Sequence, residues 1–139
     1  MILKSRKSRS NLPNFLIAGA SKSGTTSLHS YLKQHPMIFM PVKESRFFVS
    51  EIFENLSPKD PRYEHIIKYT IFNYYDYVKL FENVNNEHAI GEAGTLYLYY
   101  YKIAISKIKK YLGNNKIIII LRNPTDRAFS AYMHLLRDR

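Results

Sequence analysis

Residues 15–28 read FLIAGASKSGTTSL, and the fold turns on how this stretch is parsed. Residues 15–18 are apolar without alternation, which predicts a buried strand ending at Gly19. The small polar run 20–26 predicts a loop, and Leu28, Tyr31 and Leu32 then fall at helical spacing on one stripe. Strand, glycine-bearing loop and helix in direct succession form the arrangement in which backbone N–H groups converge on an anion at a helix N-terminus.

Working outward, Pro36 ends that helix near Gln34, because the residue before a proline disfavours the α region. Residues 37–40 are a second strand candidate, 41–45 a loop, and Phe47, Phe48 and Ile52 suit a short helix. Residues 55–73, with Pro58, Pro61 and scattered charges, predict an irregular insertion. Residues 74–84 predict a helix with Tyr77, Leu80, Phe81 and Val84 on one face, and 88–91 predict a short strand. A longer helix is expected over 96–112, where Tyr97, Tyr100, Tyr101, Ala104, Ile108, Tyr111 and Leu112 trace a stripe that Gly113 would end. Residues 117–121, four isoleucines and a leucine without alternation, predict a strand buried on both faces, as in a parallel sheet. Asn123 as N-cap and Pro124 at the first helical position open a last helix, with Ala128, Ala131, Tyr132, Leu135 and Leu136 on its inward face. Strands alternating with helices give an α/β fold with a mostly parallel sheet.

The composition agrees with one folded domain. The chain has 139 residues, 45% of them apolar and 23% charged, which suits a single domain of roughly 100 to 200 residues. With 21 Lys and Arg against 11 Asp and Glu, the net charge is +10 and an anionic partner is expected. The absence of Cys excludes a disulfide scaffold, a thiolate nucleophile and any Cys-based metal site. Residues 1–13 read as a flexible basic arm, with Lys4, Arg6, Lys7 and Arg9 unopposed by acid, and 14–139 as the folded part. No apolar run approaches the roughly 18 residues of a membrane span, and no h-region follows the basic residues. A soluble, cytoplasmic protein is therefore expected.

Ligands of parallel sheets bind at the carboxyl ends of the strands, which singles out the loops after Ala18 and after Leu121. The first departs from the nucleotide-hydrolase pattern G-x-x-x-x-G-K-[ST], since Thr25 stands where the lysine belongs and Lys22 lies inside the loop. From spacing alone it is either an anion cradle or a hydroxyl-capped turn. In the second, Arg122 ends the strand, and Arg127, Ser130 and His134 share a helical face. That suits a second phosphate, to which arginine offers a fork of donors, and equally an ordinary capped helix.

Taken together the two loops resemble those of the sulfotransferases that use 3′-phosphoadenosine 5′-phosphosulfate (PAPS), in their bacterial and heparan-sulfate-type branch. Residues 15–28 resemble the family's 5′-phosphosulfate loop, residues 121–132 (LRNPTDRAFSAY) its 3′-phosphate motif, and residues 41–48 (PVKESRFF) its P-K-E-P-x-F-F segment. The resemblance implies a P-loop-like, three-layer α/β fold with a mostly parallel sheet, incomplete at the C-terminus. Residues 14–139 would be the N-terminal part of the domain, and inactive alone. It implies that Lys22 acts on the bridging oxygen of the donor, that Ser23, Gly24, Thr25, Thr26 and Ser27 hold the 5′-phosphosulfate, and that Arg122 and Ser130 hold the 3′-phosphate. Glu44 matches the family's general base. Transfer to a hydroxyl or amine, with a carbohydrate as acceptor and no metal, follows by analogy.

The chain also departs from the pattern. Val42 and Ser45 stand where proline is preferred, and residues 91–97 (GEAGTLY) resemble a middle motif, E-x-[ST]-P-x-Y, with Gly94 in place of its proline. Glu92 in that motif either lines the acceptor site or caps the helix expected at Leu96, and the second, structural reading is preferred here. Two rivals fit less well. A P-loop nucleotide kinase needs a Walker lysine and a strand-end Asp for Mg²⁺, and a basic nucleic-acid-binding module leaves the placement of charge in these loops unexplained.

Overall fold

The computed structural model describes residues 11–41 and 44–137; the predicted arm over 1–10, the loop positions 42–43 and residues 138–139 lie outside them. In chain order the elements are β1 (Phe15–Gly19), α1 (Thr25–Lys33), β2 (Ile38–Phe39), a 3₁₀ helix (Phe47–Ile52), α2 (Tyr63–Tyr69), α3 (Tyr74–Lys79), β3 (Ala89–Ala93), α4 (Tyr101–Leu112), β4 (Lys116–Ile119) and α5 (Pro124–Arg137).

The four strands form one parallel sheet in the order β2-β3-β1-β4. Ile17 is in register with Ala93 on one side and Ile118 on the other. Because side chains alternate along a strand, β1 feeds two cores. Leu16 and Ala18 pack with Phe47, Phe48, Tyr77 and Tyr97, while Phe15 and Ile17 pack with Met40, Ala93 and the α1 residues Leu28 and Leu32. Helices thus cover β1 on both faces, giving the three layers expected. Leu16 and Ile17 are completely buried, and burial of each is worth about 1.5 to 3 kcal/mol. Leu12 already packs against the first core and Pro13 is buried, so the packed region includes residues that the charge pattern placed in the arm.

Several expectations need correction. The isoleucine run forms the parallel strand β4, but it is not buried on both faces: Ile117, Ile118 and Ile119 are exposed, and Leu121 is 75% exposed. β4 pairs with β1 on one side only and is an edge of the described sheet. No residue of α5 is fully buried, and Tyr132, Leu135 and Leu136 of its predicted inward face are exposed. An apolar run records a capacity for burial, and realising it takes a covering element that the described residues do not supply. Tyr31, expected on the α1 stripe, is likewise exposed.

The helix predicted from residue 96 begins only at Tyr101. The preceding segment follows β1 instead, with Gly94 N–H donating to the Ile17 carbonyl (2.9 Å) and Leu98 N–H to that of Ala18 (2.8 Å). α3 is shorter than predicted; Phe81 and Val84 reach the core through tight i→i+3 turns after it. Within the segment read as irregular lies α2, tied to the body by the Ile71 N–H to Ser45 carbonyl bond of 2.9 Å.

Candidate functional site

The chain leaves β1 for β2 and β3 on one side and later reaches β4 on the other, so the strand order reverses around β1. Two bonds extend the ladder beyond the strands: Ile120 N–H to the Gly19 carbonyl (2.8 Å) and Ala20 N–H to the Ile120 carbonyl (2.9 Å). The loops after β1 and β4 therefore start side by side, at the crevice where such sheets hold ligands.

In the first loop Lys22 adopts a left-handed backbone, φ 64°, a conformation that costs a non-glycine residue about 1 kcal/mol. Such strain collects at functional sites. Gly24 is the N-cap of α1 at φ 99°; a Cβ there would meet nothing within 4 Å, so glycine is needed for conformation and not for space. Lacking a side chain it gives the helix no capping bond, which leaves the N-terminal dipole available to an anion. Ser23 is buried, and its Oγ is the one buried side-chain polar atom among the described residues without a hydrogen-bond partner. A buried hydroxyl in that state costs about 1 to 3 kcal/mol, and an anion in the loop would satisfy it.

The second loop forms as predicted. Asn123 Oδ1 accepts the Thr125 N–H at 2.9 Å, and α5 starts at Pro124. Ser130, His134 and Arg137 of α5 line the same cleft as the first loop, with Arg137 Nη2 2.7 Å from His134 Nδ1. Arg127, expected beside them, is not on that wall.

Glu44 arrives from the third side. Its N–H donates to the Ala93 carbonyl at the end of β3 (2.8 Å), and its carboxylate accepts from Thr95 Oγ1 (3.0 Å) and faces Arg46 Nη2 at 4.0 Å. Arg46 in turn donates to the Ile66 carbonyl of α2 (3.4 Å).

These parts enclose one cleft of about 1270 Å³. Its walls bring together Lys22, Gly24, Thr25, Thr26, Glu44, Arg122 and Ser130. Ser23, buried within the loop, and Ser27, exposed on α1, are not on the wall. Sequence reading missed Arg46 and Thr95, although both stand in quoted motifs, and it missed Arg62 and His65, which the unread α2 segment brings to the same wall. Three anion-binding features, namely a cation in a tight loop, an uncapped helix start and a guanidinium at the next strand end, thus face one carboxylate. Among the described residues no group of His, Asp and Glu gathers as a metal ligand set.

Glu92 is completely buried, does not line the cleft and does not cap a helix at Leu96, since α4 begins only at Tyr101. Its Oε1 accepts from Ser45 Oγ and Tyr97 OH, both at 2.5 Å, and its Oε2 from Tyr77 OH at 2.7 Å. Burial raises its pKa above the usual carboxyl value, and the three hydroxyl bonds oppose that rise. Burial, and then the charge of Glu92, push Tyr77 and Tyr97 up, so both stay protonated donors. Gly94 has a reason here too. A Cβ at this position would lie 2.3 Å from the Tyr97 ring, and proline would also forfeit the N–H bonded to Ile17.

Known proteins share this chain's sequence pattern and fold. The sequence model of the sulfotransferase family matches residues 13–139. Membrane-associated sulfotransferase kil1 of Dictyostelium discoideum is 31% identical over 121 residues, covering 87% of this chain and 22% of that protein. The human bifunctional heparan sulfate N-deacetylase/N-sulfotransferase 2 is 29% identical over 133 residues, 96% of this chain and 14% of that one. The crystal structure of a sulfotransferase from Alicyclobacillus acidocaldarius superposes with a TM-score of 0.78 at 47% identity, over 91% of this chain and 51% of that chain. The chain thus spans about half of the solved relative and less than a quarter of these curated ones. It belongs to the sulfotransferase family.

Proposed function

We propose that the cleft binds PAPS and directs its sulfuryl group to a hydroxyl or amine acceptor, a carbohydrate by analogy with the heparan sulfate relative. The carrying observation is that two cationic, hydroxyl-bearing loops at neighbouring strand ends share one cleft with a carboxylate on its far wall. The residues present fit such a donor: the start of α1 is uncapped, and Lys22 and Arg122 stand on the same wall. When bound, the donor supplies the sulfuryl group and leaves as adenosine 3′,5′-bisphosphate.

The chain's own residues then divide the work. Lys22, with Gly24, Thr25 and Thr26 at the N-terminus of α1, holds the 5′ end, and its ammonium stabilises negative charge that grows on the leaving oxygen. Arg122 offers a planar fork and Ser130 a hydroxyl to the 3′-phosphate. Glu44, aimed by Thr95, takes the proton of the acceptor. On the same reading residues 14–139 are the N-terminal part of a sulfotransferase domain that works in the cytoplasm, and they turn over no donor alone.

The roles separate by kinetics in a form of the enzyme that contains the whole domain. Lys22→Ala should lower kcat by about 100-fold or more while bisphosphate binding changes little. Arg122→Ala should weaken bisphosphate binding by about 1.5 to 3 kcal/mol with a smaller effect on kcat. The opposite pattern in the two variants would refute the assignment.

A further inference from the structure

We infer that Glu92 is a positioning residue: through Ser45 it fixes the backbone of residues 44–46 and so sets the direction of the Glu44 carboxylate. The inference rests on the reading of Glu44 as the base. Glu44 and Arg46 both adopt left-handed backbones, φ 64° and 56°, and neither is glycine. Two such residues in a row of three persist only where the surroundings over-determine them.

Ser45, between them, supplies that constraint. It is 1% exposed, its Oγ donates to Glu92 Oε1 (2.5 Å) and accepts the Phe47 N–H (3.3 Å), and its carbonyl accepts the Ile71 N–H (2.9 Å). Glu92 itself is held on both oxygens, by Tyr97 and Tyr77, and among the described residues its partners are hydroxyls and no cation. Three hydroxyls converge on its two oxygens, two on Oε1 and one on Oε2, so the geometry of the cluster is centred on Glu92. Three residues along the same segment Thr95 holds the Glu44 carboxylate. One stretch of chain, from the end of β3 to Thr95, therefore fixes the main chain of the base through Ala93 and, by way of Ser45, Glu92, and its side chain through Thr95.

The test is Ser45→Ala, which cuts the link and leaves Glu92 on its two tyrosines, with the shape-conserving Glu92→Gln as a second variant. Amide hydrogen exchange at Glu44 and Phe47 should speed up by about tenfold while the amides of β1 keep their protection. In the whole domain, kcat should fall by about 10- to 100-fold with bisphosphate affinity unchanged. In a Glu44→Gln background Ser45→Ala should cost nothing further. Unchanged exchange at Glu44 and Phe47, an equal rise across β1, or the same loss of kcat in both backgrounds would overturn the inference and leave the base reading standing. A fully active Glu44→Gln would overturn the base reading itself.

Discussion

β1 and β4 are short apolar strands that lie side by side in parallel, FLIAG against KIII, and their surroundings are opposite. Every residue of β1 is buried between two helical layers, whereas every residue of β4 is exposed. β propensity points the other way, since β4 has three isoleucines where β1 ends in Ala18 and Gly19. What decides is position: β1 has a strand on each side and a core on each face, and β4 is an edge. Apolar content sets how much a strand can gain from burial, and topology decides how much it does gain.

The largest consequence is in stability. Leu16→Ala should cost about 3 to 5 kcal/mol, the transfer free energy plus a cavity in a packed core, while Ile118→Ala should cost less than about 1 kcal/mol. Urea unfolding of both variants would measure the contrast. An equal loss in the two would mean that β4 is covered in solution and that the comparison fails.

The same contrast explains what was readable in the sequence. β1, its loop, α1 and the Asn123 cap were legible because each is decided within a few residues: an unbroken apolar run, a glycine at positive φ, a side chain reaching a nearby N–H. Ser130 was legible from helical spacing. The exposure of β4 and α5, the late start of α4, and the arrival of Arg62 and His65 in the cleft were not, since each depends on partners far away in the chain. Glu92 shows this best. As one acid in a half-matched motif it was read as lining the acceptor site or capping a helix, and the meeting of Ser45, Tyr77 and Tyr97 around it shows a structural role that neither reading named.

A smaller effect sharpens the buried side of the comparison. Because burial raises the folded-state pKa of Glu92 above its unfolded value, the unfolded chain releases that proton first as pH rises. The sign is therefore destabilising: stability from this group is complete below the unfolded value near 4.5 and falls as pH climbs towards the folded one. The slope is at most about 1.4 kcal/mol per pH unit for one proton. Glu92→Gln should flatten it, as urea midpoints at pH 5 and pH 8 would record; an unaltered slope would mean that Glu92 is not its source.

The smallest free-energy change belongs to the exposed side. An uncovered apolar edge strand pairs with other chains, so the 139-residue chain should self-associate as its concentration rises in a sedimentation experiment. Ile118→Lys should reduce this association at a stability cost within about 0.5 kcal/mol. A wild-type chain that stays monomeric at every concentration would show that exposure at β4 has no such consequence.

Both strands nevertheless end in the same place, and the central claim is that their two loops form one site for two phosphates. Titration calorimetry of the chain with adenosine 3′,5′-bisphosphate and with 5′-AMP tests it most directly. The bisphosphate should bind more tightly by about 10-fold or more, the worth of one charged hydrogen-bonding site, and Arg122→Ala should erase the difference without weakening 5′-AMP. Equal affinities for the two nucleotides in the wild-type chain would contradict the claim.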